Sequence, residues 1–280
     1  MIWERLKDFW FELKWNVICR DIIKDYEEEI KGLEQTNQDL RSHIANLTKK
    51  IEKLEKKIKE QKEKEKKAKE LENLLNSKYP KRVILYKGRY TINKGWRKVD
   101  VRDFFINPNS YELQETLKRI GIKKNESDDR KAEKIQKWVV RNIRYVSDKA
   151  NFGLPEYWMY PQETLAYKKG DCDDKNILVA NLMLASGIPY YKIRVVCGYV
   201  YDLRGNLAGG HAYCVYYCEK TKKWVAVDTT YYPNLKPIEK REDYKKEKIY
   251  GGENSIWFSF NQKFAFSTLK KGRYGYFEII

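Results

Sequence analysis

Lys169-Gly-Asp-Cys-Asp-Asp174 runs through Lys175 into Asn176-Ile-Leu-Val-Ala-Asn-Leu-Met-Leu-Ala-Ser186, and this junction decides how the chain folds. The apolar run Ile177, Leu178, Ala180, Leu182, Met183 and Leu184 reads as a buried helix with Cys172 in its first turn. Asp171 suits the N-cap. Asp174, three positions on, can accept from the cap's N–H, an aspartate version of the capping box. The amides at a helix N-terminus favour a thiolate, and the N–H of Cys172 remains available to a developing oxyanion. The adjacent carboxylates oppose that thiolate, so the cysteine needs a basic partner.

Such a partner lies downstream. Tyr190 to Tyr201 reads as an apolar strand, followed by the turn-rich loop Asp202-Leu-Arg-Gly-Asn-Leu-Ala-Gly-Gly210. A strand from Gly210 to Tyr217 then opens with His211, one of only two histidines, the other being His43. After a Glu-Lys-Thr-Lys turn, Lys223 to Thr230 reads as the paired strand, with Asp228 near its far end. Residues 211 and 228 straddle the turn at similar distances, which places them side by side on one face of a hairpin. Asp228 can orient the imidazole and the imidazole can take the thiol proton, the arrangement of nucleophile, base and orienter used in covalent acyl chemistry.

These residues, with Glu156-Tyr-Trp-Met-Tyr-Pro-Gln-Glu-Thr-Leu165 ahead of them, resemble the transglutaminase-like cysteine peptidase superfamily over about residues 80–265. The likeness is especially to versions found in archaea and tailed phages. It implies a papain-like, transglutaminase-like core with Cys172 as nucleophile, His211 as general base and Asp228 as orienting acid. Asp173 stands where the family often has Glu. Trp158 is the candidate second oxyanion donor, with Gln162 behind it. No cofactor is implied. Cys197, Cys214 and Cys218 read as packing thiols, and Cys214 with Cys218 lacks two further ligands at metal spacing, so no metal site is expected.

Around this centre, Arg82 to Tyr90 and Lys98 to Ile106 read as strands, and Ser110 to Ile120 and Asp129 to Ile143 as helices. Ser255 to Phe260 and Tyr274 to Ile280 add two further strands. The expected fold is α+β, with helices packed on an antiparallel sheet. Trp158, Tyr160, Tyr213, Trp224, Tyr231 and Tyr232 crowd the same region, some as core and some as candidates for lining a substrate groove.

The amino-terminal third is different. Ile23, Tyr26, Ile30, Leu33, Leu40, Ile44, Leu47, Ile51, Leu54 and Ile58 recur three and four apart, a heptad pattern that predicts a homo-oligomer through residues 23–58, a dimer being favoured. Asn37 at an a position would set register in a parallel pair, whereas the acidic start and basic end of the segment would suit an antiparallel one. Beyond Ile58 the seam fades, and fraying or a lone helical stalk is expected. Trp3, Leu6, Trp10, Leu13 and Val17, broadened by Phe9, Phe11 and Trp15, suggest a docking helix for a protein assembly. Ser77-Lys-Tyr-Pro80 breaks the helix. The expected division is therefore a docking helix at 1–20, a coiled coil at 21–78 and a catalytic domain at 80–280.

Composition is consistent with this. With 42% hydrophobic and 14% aromatic residues among 280, the chain can bury a core, and no apolar run approaches a membrane span. Neither a secretory leader nor a disulfide framework is evident from five scattered cysteines, so cytoplasmic and virion-associated locations both fit. The net charge of +17 is concentrated in residues 81–280, with 38 basic against 23 acidic residues, which favours an anionic partner. Three functions are consistent with these features. One is a thiol hydrolase acting on a peptide, isopeptide or other polymeric amide. The second is an acyl-transferring crosslinker, and the third a non-catalytic adaptor in a virion or other assembly.

Overall fold

A computed structural model describes residues 2–91, 95–231 and 233–280. It divides into two units, Met1–Glu70 and Leu71–Ile280. Helix α1 (Ile2–Ser77) makes up the whole of the first. Its heptad Ile and Leu side chains stand about half exposed, and Trp3, Phe9, Trp10, Phe11 and Trp15 are exposed as well, Trp3 and Phe11 most of all. No helix among the described residues is long and apolar enough to cross a membrane.

The second unit begins with the last turns of α1. Beyond Ile58, where fraying or a lone helical stalk was expected, the chain stays helical to Ser77, and its last turns have something to pack on. Leu75 is buried with Tyr191 and Tyr217, and Leu71 packs against the same cluster. Glu72 accepts from the Tyr190 hydroxyl, and Arg194 donates to the Leu75 carbonyl, one of the acceptors that every helix C-terminus leaves unpaired.

Strands β1 (Lys81–Arg82), β2 (Ile84–Thr91) and β3 (Gly95–Asp100) follow, and then helices α2 (Tyr111–Ile120) and α3 (Asp128–Asn142). The expected strand at 98–106 stops at Asp100, whose carboxylate accepts from the Arg102 N–H at 2.9 Å and turns Val101–Phe104 into a 3₁₀ helix. Strand β4 (Arg144–Tyr145), helices α4 (Asp148–Phe152) and α5 (Pro161–Tyr167), and strand β5 (Lys169–Gly170) lead to the central helix α6 (Cys172–Ala185). Pro189 starts a 3₁₀ turn at Tyr190–Lys192 before β6 (Ile193–Tyr201), so the apolar run after 190 is strand only in its later part. Then come β7 (Leu207–Tyr217), β8 (Trp224–Ala226), β9 (Ile256–Phe260) and β10 (Ala265–Phe266). The expected carboxy-terminal strand is instead a hairpin, β11 (Gly272–Tyr274) and β12 (Phe277–Ile279), turning at Gly275 with φ of 57°.

The main sheet is antiparallel throughout, in the order β1-β10-β9-β6-β7-β8, and a second sheet runs β11-β12-β2-β3. Helix α6 lies on β6 and β7, with α2, α3 and α5 against its other faces. Every residue from Asp173 to Met183 is buried as a result. Its apolar side chains therefore point to all sides, which is why its sequence shows no amphipathic stripe, and buried polar ones such as Asn176 and Asn181 are hydrogen-bonded. The architecture is the expected one: a long amino-terminal helix, then helices packed on an antiparallel sheet.

Arg194 ties the last turn of α1 to this sheet. Its guanidinium lies 4.3 Å from the centroid of Phe266 and 5.0 Å from that of Trp224, and burial pushes its pKa down to about 10, so it stays charged at neutral pH. Arg194→Ala should lower unfolding stability by about 2–4 kcal/mol, through the lost charged hydrogen bond and the void between the rings. Chemical denaturation checks this, and an unchanged midpoint would rule out the anchoring role.

Candidate active site

Cys172 is placed by its neighbours on both sides. The Asp171 N–H donates to Asp174 Oδ2 at 3.3 Å, one half of the expected capping box. The other oxygen, Oδ1, accepts from Met159 N–H at 2.7 Å, tying the segment before α5 to the start of α6. Gly170 leaves room for this. A Cβ there would lie 2.6 Å from the Asp174 side chain, closer than packed atoms approach.

His211 sits inside β7, paired with Gly198 of β6. Its Nε2 lies 2.8 Å from Asp228 Oδ2, and both side chains are buried, at 7% and 1% exposure. The route to this contact differs slightly from a facing pair. Val215 pairs with Ala226, and continuing that register sets Tyr213 opposite Asp228, so His211 reaches it diagonally, two residues along. Strand β8 stops at Ala226, and Asp228 then folds a turn by accepting from Thr230 N–H at 2.9 Å and Thr230 Oγ1 at 3.1 Å. Burial alone would raise the Asp228 pKa. The neighbouring His211, the Thr230 N–H and the Asn176 amide outweigh it and hold the carboxyl below the usual range. A carboxylate can only accept, so Nε2 carries the proton and Nδ1 is the ring nitrogen with a lone pair.

Cys172 and His211 line one cavity of about 820 Å³ with Trp158, Tyr199, Trp257 and Tyr274. Burial and the charges of Asp171, Glu156 and Asp228 push the Cys172 thiol well above its ordinary pKa, against the lowering effect of the Ala212 N–H. These influences act against the thiolate. Trp158 is buried at the cavity wall, stacked on Tyr86 at 4.9 Å, and its indole N–H donates to Glu156 Oε1 at 2.8 Å. Gln162 is not brought here. It lines a separate groove with Tyr111, Arg119 and Trp138. Among the expected aromatics, Tyr213 and Tyr231 flank the imidazole, Tyr160 stacks on Phe104, and Trp224 lies by Arg194; Tyr232 falls outside the described residues. Cys197, Cys214 and Cys218 are buried, with Cys197 at the cavity wall.

Two groups were not singled out by the sequence. One is Asn176, whose side-chain amide touches Cys172, Ala212 and Asp228. The other is an acidic nest, in which Asp148, Glu156 and Asp173 bring carboxylate oxygens within 4.8 Å of one another, as do Asp148, Asp171 and Asp174. Oδ1 of Asp148, Asp171 and Asp173 is buried without a hydrogen-bond partner. These oxygens are the side chains that could hold a hard cation. Asp148 and Glu156 lie far from Cys172 in sequence, so spacing gave no sign of them.

Burial, followed by the charge of Asp171, pushes Asp148 up to about 8, and burial is the main cause that pushes Glu156 up to about 7. Between about pH 4 and pH 8 the folded chain thus holds protons that the unfolded chain has released, and stability falls as pH rises through that window. In chelator-containing buffer the thermal midpoint should drop from pH 5 to pH 8.5, and Asp148→Asn should flatten the drop. A midpoint that rises over this range would contradict the reading.

Residues 115–229 match the family model described as the transglutaminase-like superfamily. UPF0252 protein PH1321 of Pyrococcus horikoshii is 33% identical over 98 residues, which make up 34% of this chain and 27% of that protein. The match thus spans about a quarter of the curated relative's length. Legionella pneumophila LapG is similar in structure with a TM-score of 0.40 at 19% identity, over 56% of this chain and 76% of that one. Its calcium-bound form gives 0.41 at 18% identity, over 58% and 80%. The matched stretch holds Cys172, His211 and Asp228, and with its helices packed on an antiparallel sheet this part of the chain is similar to the transglutaminase-like superfamily.

Proposed function

We propose that the protein is a thiol hydrolase of peptide, isopeptide or similar amide bonds, working through an acyl-enzyme on Cys172. The observation that carries this reading is the buried contact of 2.8 Å between His211 Nε2 and Asp228 Oδ2 on the wall of the cavity that Cys172 also lines. With Nε2 held by Asp228, Nδ1 takes the thiol proton as sulfur attacks the acyl carbon, and the imidazolium formed is stabilised by the carboxylate. The leaving amine takes that proton. Water, deprotonated by the same imidazole, then cleaves the thioester and restores the thiol. The Cys172 N–H, in the first turn of α6, is the first donor to the oxyanion. Trp158 is the second, its indole N–H turning from Glu156 to the oxyanion. An amine in place of water would give acyl transfer from the same intermediate, so incubation with an amide substrate and a labelled amine separates the two outcomes.

Because the neighbouring carboxylates act against the thiolate, the reactivity of Cys172 depends on the base. Alkylation of Cys172 at pH 7, located by peptide mass mapping, should slow at least about tenfold in His211→Ala and in Asp228→Ala. Equal rates in native and His211→Ala protein would remove the enzymatic reading and leave an adaptor role.

The half-exposed heptad side chains of α1 support self-association through residues 23–58 as a dimer, which would carry two copies of the domain. The aromatic face ahead of them serves as the docking surface for a protein assembly. Sedimentation should give twice the 33.6 kDa chain mass, and Ile44→Lys with Leu47→Lys should halve it. A monomeric native protein would disprove the pairing.

A further inference from the structure

We propose that Asn176 is a positioning residue for this site, holding nucleophile, base and orienting acid in register without touching substrate. The inference rests on the assignment of Cys172, His211 and Asp228 given above. Asn176 is fully buried in α6, one turn after Cys172. Its Nδ2 donates to the Cys172 carbonyl at 2.9 Å, the Ala212 carbonyl at 3.0 Å and Asp228 Oδ1 at 3.2 Å. Its Oδ1 accepts from Cys214 N–H at 3.3 Å and Thr229 N–H at 3.2 Å. Acceptors surround one end of the amide and donors the other, so its orientation is set by the network. One side chain thereby joins the residue bearing the thiol, the strand on both sides of Tyr213 next to His211, and the turn that carries Asp228.

The contact with Asp228 has a chemical consequence. Asn176, Thr230 N–H and Thr230 Oγ1 all occupy Oδ1, which leaves Oδ2 to His211 Nε2 and Tyr250. The carboxylate cannot rotate without breaking several bonds at once, so the Nε2–H tautomer, with Nδ1 as base, is locked in. Aspartate at 176 could not substitute, since it would set a second carboxylate against Asp228 and against two carbonyl oxygens.

The same helix supplies a matched control. Asn181 is equally buried, donates to Phe104 and Ile177 carbonyls at 3.0 and 2.9 Å, and accepts from Ile106 N–H at 2.9 Å, but touches none of the three site residues. The test uses the full chain with Asn176→Ala, Asn176→Ser and Asn181→Ala. Two readouts are followed, the pH profile of Cys172 alkylation and the exchange rate of the His211 Nε2 proton by NMR. Both Ala variants should lose thermal stability. Only the Asn176 changes should slow alkylation about tenfold or more and speed exchange of the imidazole proton, Ser less than Ala. Should Asn176→Ala not fold, Asn176→Ser decides. Native-like alkylation and proton exchange in the Asn176 variants would overturn the proposal, as would equal effects from Asn181→Ala. If His211→Ala leaves alkylation unchanged, the catalytic assignment fails, and the imidazole proton alone decides whether Asn176 holds the His211–Asp228 pair.

Discussion

Asp228 carries a negative charge in a place that water does not reach, and much of the surrounding structure exists to tolerate it. An isolated carboxylate so buried would take up a proton. This one stays ionised because an imidazole, a backbone N–H, a hydroxyl and an amide converge on it. These donors come from three parts of the fold. His211 is on β7, Asn176 on α6 and Thr230 on the turn that ends β8. Tyr250, from the segment before β9, adds a hydroxyl at 3.3 Å. The packing of α6 against β7 is thus more than hydrophobic contact, since it delivers the amide that the charge requires. Gln136 of α3 donates to the Asp228 backbone carbonyl at 2.7 Å and draws that helix into the same arrangement.

Cys172 sits under the opposite influence. Asp171, which begins its helix, and Glu156, which holds Trp158, both place acidic groups beside the thiol on the cavity wall. The helix N-terminus favours thiolate, but these carboxylates and burial outweigh it. Under the proposed function, two requirements of the fold act against activation of the sulfur, and a base has to remove its proton. On that reading the orientation of His211 is demanding, which gives physical sense to the number of bonds made to Asp228.

The parts of this arrangement that could be read from the sequence are those with local signals. The Gly-Asp-Cys-Asp-Asp junction announced a helix start, and the apolar run after it a buried helix, because capping and burial act over a few residues. His211 and Asp228 could be brought together because a hairpin relates them by counting, although counting missed the register by two residues. Strand ends were lost wherever a side chain competed with the ladder, as Asp100 and Asp228 do. Nothing local marked Asp148, Glu156 or Asn176, whose roles arise from residues distant in the chain. The same holds for the last turns of α1, where a fading heptad pattern gave no hint that Leu75 meets Tyr191 and Tyr217.

The boundary of the family match divides the site by task. Residues 115–229 contain the thiol, the imidazole and the carboxylate, whereas the facing wall of the cavity, including Trp257, Tyr274 and Tyr276, lies beyond it. Tyr274 and Tyr276 flank Gly275 at the tip of the β11–β12 hairpin, which joins the molecule through β2, outside the sheet that holds His211. Part of the cavity wall therefore rests on a sheet other than the one that holds His211. On the proposed function, changes in the hairpin would alter what can enter beside Cys172 while leaving the bonds to Asp228 intact, so one core is compatible with many cavity shapes.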